Sequence, residues 1–176
     1  MIRQLLQKIE QPAYRLAVQV CNQTSDKLQR HVALYFSEII LSHGDEEDRD
    51  DLSAAHTLIK RLHASCPGLL QSVIPQLEEE LHMESIPMRG FATQTLGEMF
   101  GDKNGPELCK NFSSTWSSWL SRCNDKSSVI RLKFVESSKG LYSTTNLEMR
   151  EAFEGVFDIS DSGFRSRTGT KNATVC

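Results

Sequence analysis

Residues 72–100, SVIPQLEEELHMESIPMRGFATQTLGEMF, constrain this chain more than any other stretch. Apolar residues fall at spacings of three and four twice over: Val73, Ile74, Leu77 and Leu81, then Met88, Ala92, Leu96 and Met99. That is the period of two short amphipathic helices, about 72–82 and 87–100. Between them Glu84 and Ser85 can cap, and Pro87 sits in a first turn where its missing N–H costs nothing. Helices this short cannot bury their apolar faces against each other alone, so the pair needs neighbours.

The pattern recurs downstream. A shift of forty-two residues places Ile74 on Trp116, Leu77 on Trp119, Met88 on Ile130, Arg89 on Arg131 and Ala92 on Phe134. The match is imperfect at the turn, where Glu84 lies one place from the position matching Asp125. Paired helices repeating at about 40–47 residues are the signature of HEAT and armadillo arrays. The fold expected is all-α: a right-handed α-solenoid of HEAT-type helical hairpins. Residues 1–157 form the array, about three hairpins plus an extra helix. Residues 158–176, rich in Ser, Thr, Gly and Arg, form a disordered tail. The next second helix, due near Ala173, does not appear in the sequence, so the chain is expected to be a fragment or a truncated product.

In chain order, Met1–Gln11 is a short amphipathic piece and Pro12 opens a helix to about Cys21. Asp26 caps a long helix over about 27–41, with Leu28, Val32, Tyr35, Phe36, Ile39 and Ile40 on one broad face and Gly44 beyond its end. The acidic run Asp45–Asp51 reads as a solvated loop whose last aspartates favour the next helix start. It lacks the glycine and final glutamate of a calcium loop. The extra helix covers Leu52–Cys66, and Pro67-Gly68 breaks the chain after it. Further helices are expected at 107–112, 115–122 (capped by Ser114), 128–142, and from an Asn146 cap to Phe157.

The formal net charge of −3 gives no bulk reason to expect nucleic acid. No apolar run approaches a membrane span, and the first residues are too polar for a signal peptide, so a cytosolic or nuclear location is expected. Cys21, Cys66, Cys109, Cys123 and Cys176 are odd in number and form no C-x-x-C pair, so reduced, mostly buried thiols are expected. The sequons at Asn22, Asn111 and Asn172 then have no compartment in which to be used.

No catalytic, cofactor or metal site emerges. His31, His43, His56, His63 and His82 are scattered without a completing carboxylate set and read as surface or half-buried. Residues 101–106, GDKNGP, lack the features of a phosphate loop. Trp116 and Trp119 read as packing between repeats, or alternatively as an anchor for a partner peptide. Arg89 and Arg131 recur at one point of each repeat and read as structural, reaching an acidic group of an adjacent repeat. Glu78, Glu79 and Glu80 near a helix C-terminus conflict with its dipole; solvated glutamates are the simpler account, basic neighbours the other. The outward positions of successive second helices, Gln94, Glu98, Lys133, Glu136 and Lys139, form the candidate partner-binding surface.

Residues 73–81 (VIPQLEEEL), 92–101 (ATQTLGEMFG), 115–125 (TWSSWLSRCND) and 129–136 (VIRLKFVE), with DKLQRHVALYFSEII upstream, resemble the precocious-dissociation-of-sisters family of cohesin-associated HEAT-repeat regulators. The resemblance runs from about Pro12 to Arg150 in family order and is nearest to fungal members. It implies a non-enzymatic nuclear scaffold that contacts cohesin's kleisin subunit and the wings-apart-like release factor and so regulates sister-chromatid cohesion. Family proteins are far longer, so this chain would supply part of their N-terminal arm. None of the family's kleisin-contacting residues maps onto a motif here. The other functions the sequence allows are a HEAT scaffold of another system, such as nuclear transport or phosphatase assembly, and a direct DNA binder, which the acidic balance disfavours.

Overall fold

The structure, a computed structural model, describes residues 12–42, 49–143 and 146–165. Among them the chain is helical, without a β-strand. The helices are α1 (Pro12–Gln23), α2 (Ser25–Ser42), α3 (Arg49–Ser65), α4 (Ile74–His82), α5 (Ile86–Phe100), α6 (Gly105–Asn111), α7 (Ser113–Leu120), α8 (Ser128–Ser137) and α9 (Leu147–Arg165). Short 3₁₀ turns at Pro67–Leu70, Ser121–Asn124 and Ser138–Ser143 join them.

The helices form an α-solenoid of hairpins. Helix α4 folds back on α5, and α8 lies along α5 as α5 lies along α3. On the other layer α4 packs against α7. Helix α3, read from the sequence as an extra element, folds back on α2 and lies beside α5, so it takes the place of a second helix. Across that seam His56 meets Thr95 and His63 meets Asp102, as Gln94 meets Lys133 across the next. Helix α6 fills the link between α5 and α7.

A continuous apolar core runs between the layers, from Tyr14, Val32 and Phe36 through Leu58, Leu62, Leu77 and Leu96 to Trp119, Phe134 and Phe153. On α2, Val32 and Phe36 are buried and Leu28, Ile39 and Ile40 half-buried, but Tyr35 is exposed.

Several ends differ from expectation for local reasons. Ser85 stands at the start of α5 but makes no side-chain capping bond. Ser114, expected as a cap, lies inside α7 and donates instead to Glu78. Asp26 lies in the first turn of α2 rather than before it. Asn146 does cap α9, its Oδ1 accepting the Met149 N–H at 3.0 Å. Helix α8 stops at Ser137 rather than running to Tyr142; there Ser137 Oγ turns back to the Phe134 and Thr93 carbonyls. Helix α9 continues past Phe157 to Arg165. The N-terminal piece at 1–11, the acidic residues 45–48, and residues 166–176 of the expected tail lie outside the described residues.

Candidate partner-binding face

Helices α5 and α8 touch through small residues. A Cβ placed on Gly101 would stand 2.9 Å from the Gly140 Cα, so main chain meets main chain at the end of both hairpins. Higher up, a Cβ on Gly97 would run into Ser137 and the Trp119 ring. Trp119 is fully buried, and its indole Nε1 donates to the Thr93 carbonyl at 2.9 Å. Its ring packs with Trp116, Phe100, Phe134 and Phe153. A large aromatic anchored at both its apolar and polar ends fixes the spacing of the two hairpins.

Arg89 and Arg131 make the same local contacts in successive hairpins. Arg89 Nη1 donates to the carbonyls of Met83 (2.6 Å) and Glu84 (2.9 Å); Arg131 Nη1 donates to those of Asp125 (2.7 Å) and Lys126 (3.2 Å). Each arginine thus ties down the turn before its own helix, replacing the missing side-chain cap. Arg89 reaches further, its Nε lying 3.2 Å from Asp125 Oδ2 in the next hairpin. Arg122 contacts the same oxygen at 3.1 Å. Burial pushes the Asp125 carboxyl up, but the Ser127 N–H and the two guanidinium groups outweigh it, and the net shift is downward.

The glutamates after Leu77 divide three ways. Glu78 accepts hydroxyl bonds from Ser114, Thr115 and Ser118 of α7 at 2.6–2.9 Å. Burial raises its pKa, and these donors reverse the shift to a net lowering. Glu79 is exposed. Glu80 is buried, 3.1 Å from His56 Nε2, while His56 Nδ1 meets Thr95 Oγ1 and its ring stacks on Phe91. His63, also buried, meets Asp102 Oδ1 at 3.1 Å. The reading of Glu78 and Glu80 as solvated, and of these two histidines as surface or half-buried, is therefore corrected: they join adjacent hairpins. Cys21 and Cys66 lie in thiol contact, and burial pushes Cys66 up to about 12, which keeps it an inert thiol.

The second helices carry a polar ladder on their outer side. Lys60 Nζ of α3 donates to Glu98 Oε2 at 2.7 Å. Gln94 Nε2 donates to Glu98 Oε1 at 3.1 Å, and Lys133 Nζ of α8 donates to Gln94 Oε1 at 2.9 Å. Lys133 also stands 5.9 Å above the Phe91 ring. The structure thus brings Gln94, Glu98 and Lys133 together across the α5–α8 seam. Glu136 and Lys139 are exposed, on α8 and the turn after it. Sequence reasoning left out Lys60, because α3 had no place in the repeat, and passed over Phe91 of α5. Among the described residues no group of three His, Cys, Asp or Glu side chains could hold a metal ion. Nor is any described helix long and apolar enough to cross a membrane.

Comparison with known proteins decides the family. The profile described as "PDS5: Sister chromatid cohesion protein PDS5 protein" matches residues 1–160. The chain belongs to the PDS5 family. The Schizosaccharomyces pombe sister chromatid cohesion protein pds5 is 32% identical over 155 residues, covering 86% of this chain. The Saccharomyces cerevisiae PDS5 is 26% identical over 159 residues, again 86% of the chain. The human PDS5 homolog B is 29% identical over 128 residues, or 73% of the chain. The chain spans 12% of the length of the two yeast PDS5 proteins and 9% of the human one. A solved chain described in "Structure of the Pds5-Scc1 complex and implications for cohesin function" superposes with a TM-score of 0.65 at 23% identity. That superposition covers 83% of this chain and 26% of the other, and it shows the PDS5 α-solenoid fold here.

Proposed function

We propose that this chain is part of a non-enzymatic scaffold that associates with cohesin in the nucleus and regulates the maintenance and release of sister-chromatid cohesion. The observation that carries the reading is the match of residues 1–160 to the PDS5 family. The partners are the kleisin subunit and the wings-apart-like release factor, and contact with chromatin is indirect. The face they meet is that of Gln94, Glu98, Lys133, Glu136 and Lys139. Gln94, Glu98 and Lys133 are held by one another, so less side-chain freedom is lost on binding. Glu136 and Lys139 are rim charges, which set register and association rate more than affinity.

Co-precipitation of the chain with separate kleisin and release-factor fragments tests this. Retention of at least one fragment is expected, with weaker retention by a chain carrying Glu136→Lys and Lys139→Glu. A folded chain, helical by circular dichroism, that retains neither fragment overturns the proposal. Recovery of transport or phosphatase subunits in their place points to the other scaffold role.

A further inference from the structure

Asn104-Gly105, in the link between α5 and α6, is the one Asn-Gly pair in the chain. With no side chain on the following residue, the backbone nitrogen after an asparagine can reach that asparagine's own Cγ and close a five-membered imide. Packing demands both residues here. Gly105 is buried, and a Cβ on it would run into the Phe100 carbonyl. Asn104 is half-buried, and its Nδ2 donates to the His63 carbonyl at 3.0 Å, tying the link to the last turn of α3. The main chain is held as well: the Asn104 N–H donates to Asp102 Oδ1 at 2.7 Å, and the Gly105 N–H to the Asp102 carbonyl at 3.1 Å. Ring closure needs the Gly105 nitrogen on the Cβ side of the Asn104 Cα–C bond. At ψ −3° that nitrogen eclipses the Asn104 nitrogen instead, so the packed link is kept out of the reactive geometry.

We propose that Asn104 is a self-modifying site, shut while the link is seated against α3 and opened when the link swings free. In the open link the Gly105 nitrogen attacks Asn104 Cγ and gives up its proton; the Cγ–Nδ2 bond breaks and ammonia leaves. Water then adds to one of the two imide carbonyls, and His63, Pro67, Glu107 and Asn111 line with Asn104 the cleft through which it arrives. Hydrolysis at one carbonyl leaves an ordinary aspartyl peptide; at the other it routes the main chain through the side chain, as iso-aspartate. The net change is one water consumed and one ammonia released. Either product takes the donor from the His63 carbonyl and brings a second carboxylate to the group of His63 and Asp102. Iso-aspartate also adds a methylene to the main chain directly before Gly105. A link converted in this way cannot reseat as before, so the modification records the opening of the joint.

The test incubates the 176-residue chain in mildly alkaline buffer, with and without denaturing guanidinium chloride, and follows the peptide containing Asn104 by mass spectrometry. Loss of ammonia followed by gain of water is expected in denaturant. In the folded chain it should be at least about tenfold slower, because the rate follows the population of the open link. Asn104→Gln, which has no five-membered closure, should abolish the conversion in denaturant. Asp102→Ala, shown to be helical by circular dichroism, should convert faster than wild type in buffer and at the wild-type rate in denaturant. The converted chain, separated by ion exchange, should unfold at lower denaturant than the unconverted one. No conversion in denaturant overturns the site. Equal wild-type rates in the two conditions, or a folded Asp102→Ala chain as slow as wild type, overturn the gating. Equal unfolding midpoints of converted and unconverted chain overturn the loosening of the joint.

Discussion

Arg89 Nε lies 3.2 Å from Asp125 Oδ2 across the junction of two hairpins, and both side chains are largely buried. Arg122 and the Ser127 N–H still compensate Asp125 when Arg89 is removed, so Arg89→Ala should cost about 1–3 kcal/mol in urea unfolding. Asp125→Ala should cost more, about 3–5 kcal/mol, since it takes the one carboxylate from both Arg89 and Arg122. A double-mutant cycle that returns no coupling between Arg89 and Asp125 contradicts the assignment.

The Gly101–Gly140 contact leaves no room for a side chain. Gly101→Ala should destabilise the protein by about 1–3 kcal/mol through overpacking. Gly68 is the control, because a Cβ there would meet Ser25 at an ordinary 3.5 Å. Gly68→Ala should stay within about 0.5 kcal/mol of wild type. Equal denaturation midpoints for the two variants would contradict the close approach.

Trp119 combines ring packing with one polar bond. Trp119→Ala should cost about 3–5 kcal/mol from the cavity alone. Trp119→Phe keeps most of the apolar contact but leaves the Thr93 carbonyl without its indole donor, a loss of about 1–3 kcal/mol. Thermal unfolding of both variants distinguishes the two contributions, and a Phe variant as unstable as the Ala variant would assign nearly all the effect to the hydrogen bond.

Asp125 and Glu78 both titrate below their ordinary values in the folded chain. The stability they contribute is fully present above the unfolded carboxylate values, about 3.9 for Asp and 4.3 for Glu, and is lost as pH falls through the lower folded values. The melting temperature should therefore drop steeply below about pH 4. Asp125→Asn and Glu78→Gln should melt lower at neutral pH and lose less on acidification. Parallel curves for wild type and variants would contradict the shifts.

The hairpin pair at 72–100 and 113–137 was legible because its apolar spacing and its arginines repeat at one fixed interval. The α2–α3 hairpin was not, since Arg30, the nearest upstream counterpart of Arg89 on a long helix, lies fifty-nine residues before it rather than forty-two. The roles of Glu78 and Glu80 were also hidden. A carboxylate in a helix reads as solvated unless its partner is known, and those partners, Ser114 and His56, lie thirty-six residues after and twenty-four before in the chain. The ladder through Gln94, Glu98 and Lys133 was half visible: helical phase gave the outer face, but Lys60 joins it only through the packing of α3. The short 3₁₀ turn replacing the end of α8 follows from Gly140 and the buried Ser137, neither of which breaks an apolar pattern.

The two seams of this array differ mechanically. Between α3 and α5, half-buried Lys60 and exposed Glu98 hold each other by long side chains on the outside, and His56 and His63 reach Thr95 and Asp102 further in. Between α5 and α8, Gly101 and Gly140 bring backbone against backbone, and a shift there meets hard steric walls at once. Sliding at the first joint is resisted by side-chain hydrogen bonds, and at the second by backbone atoms already in contact.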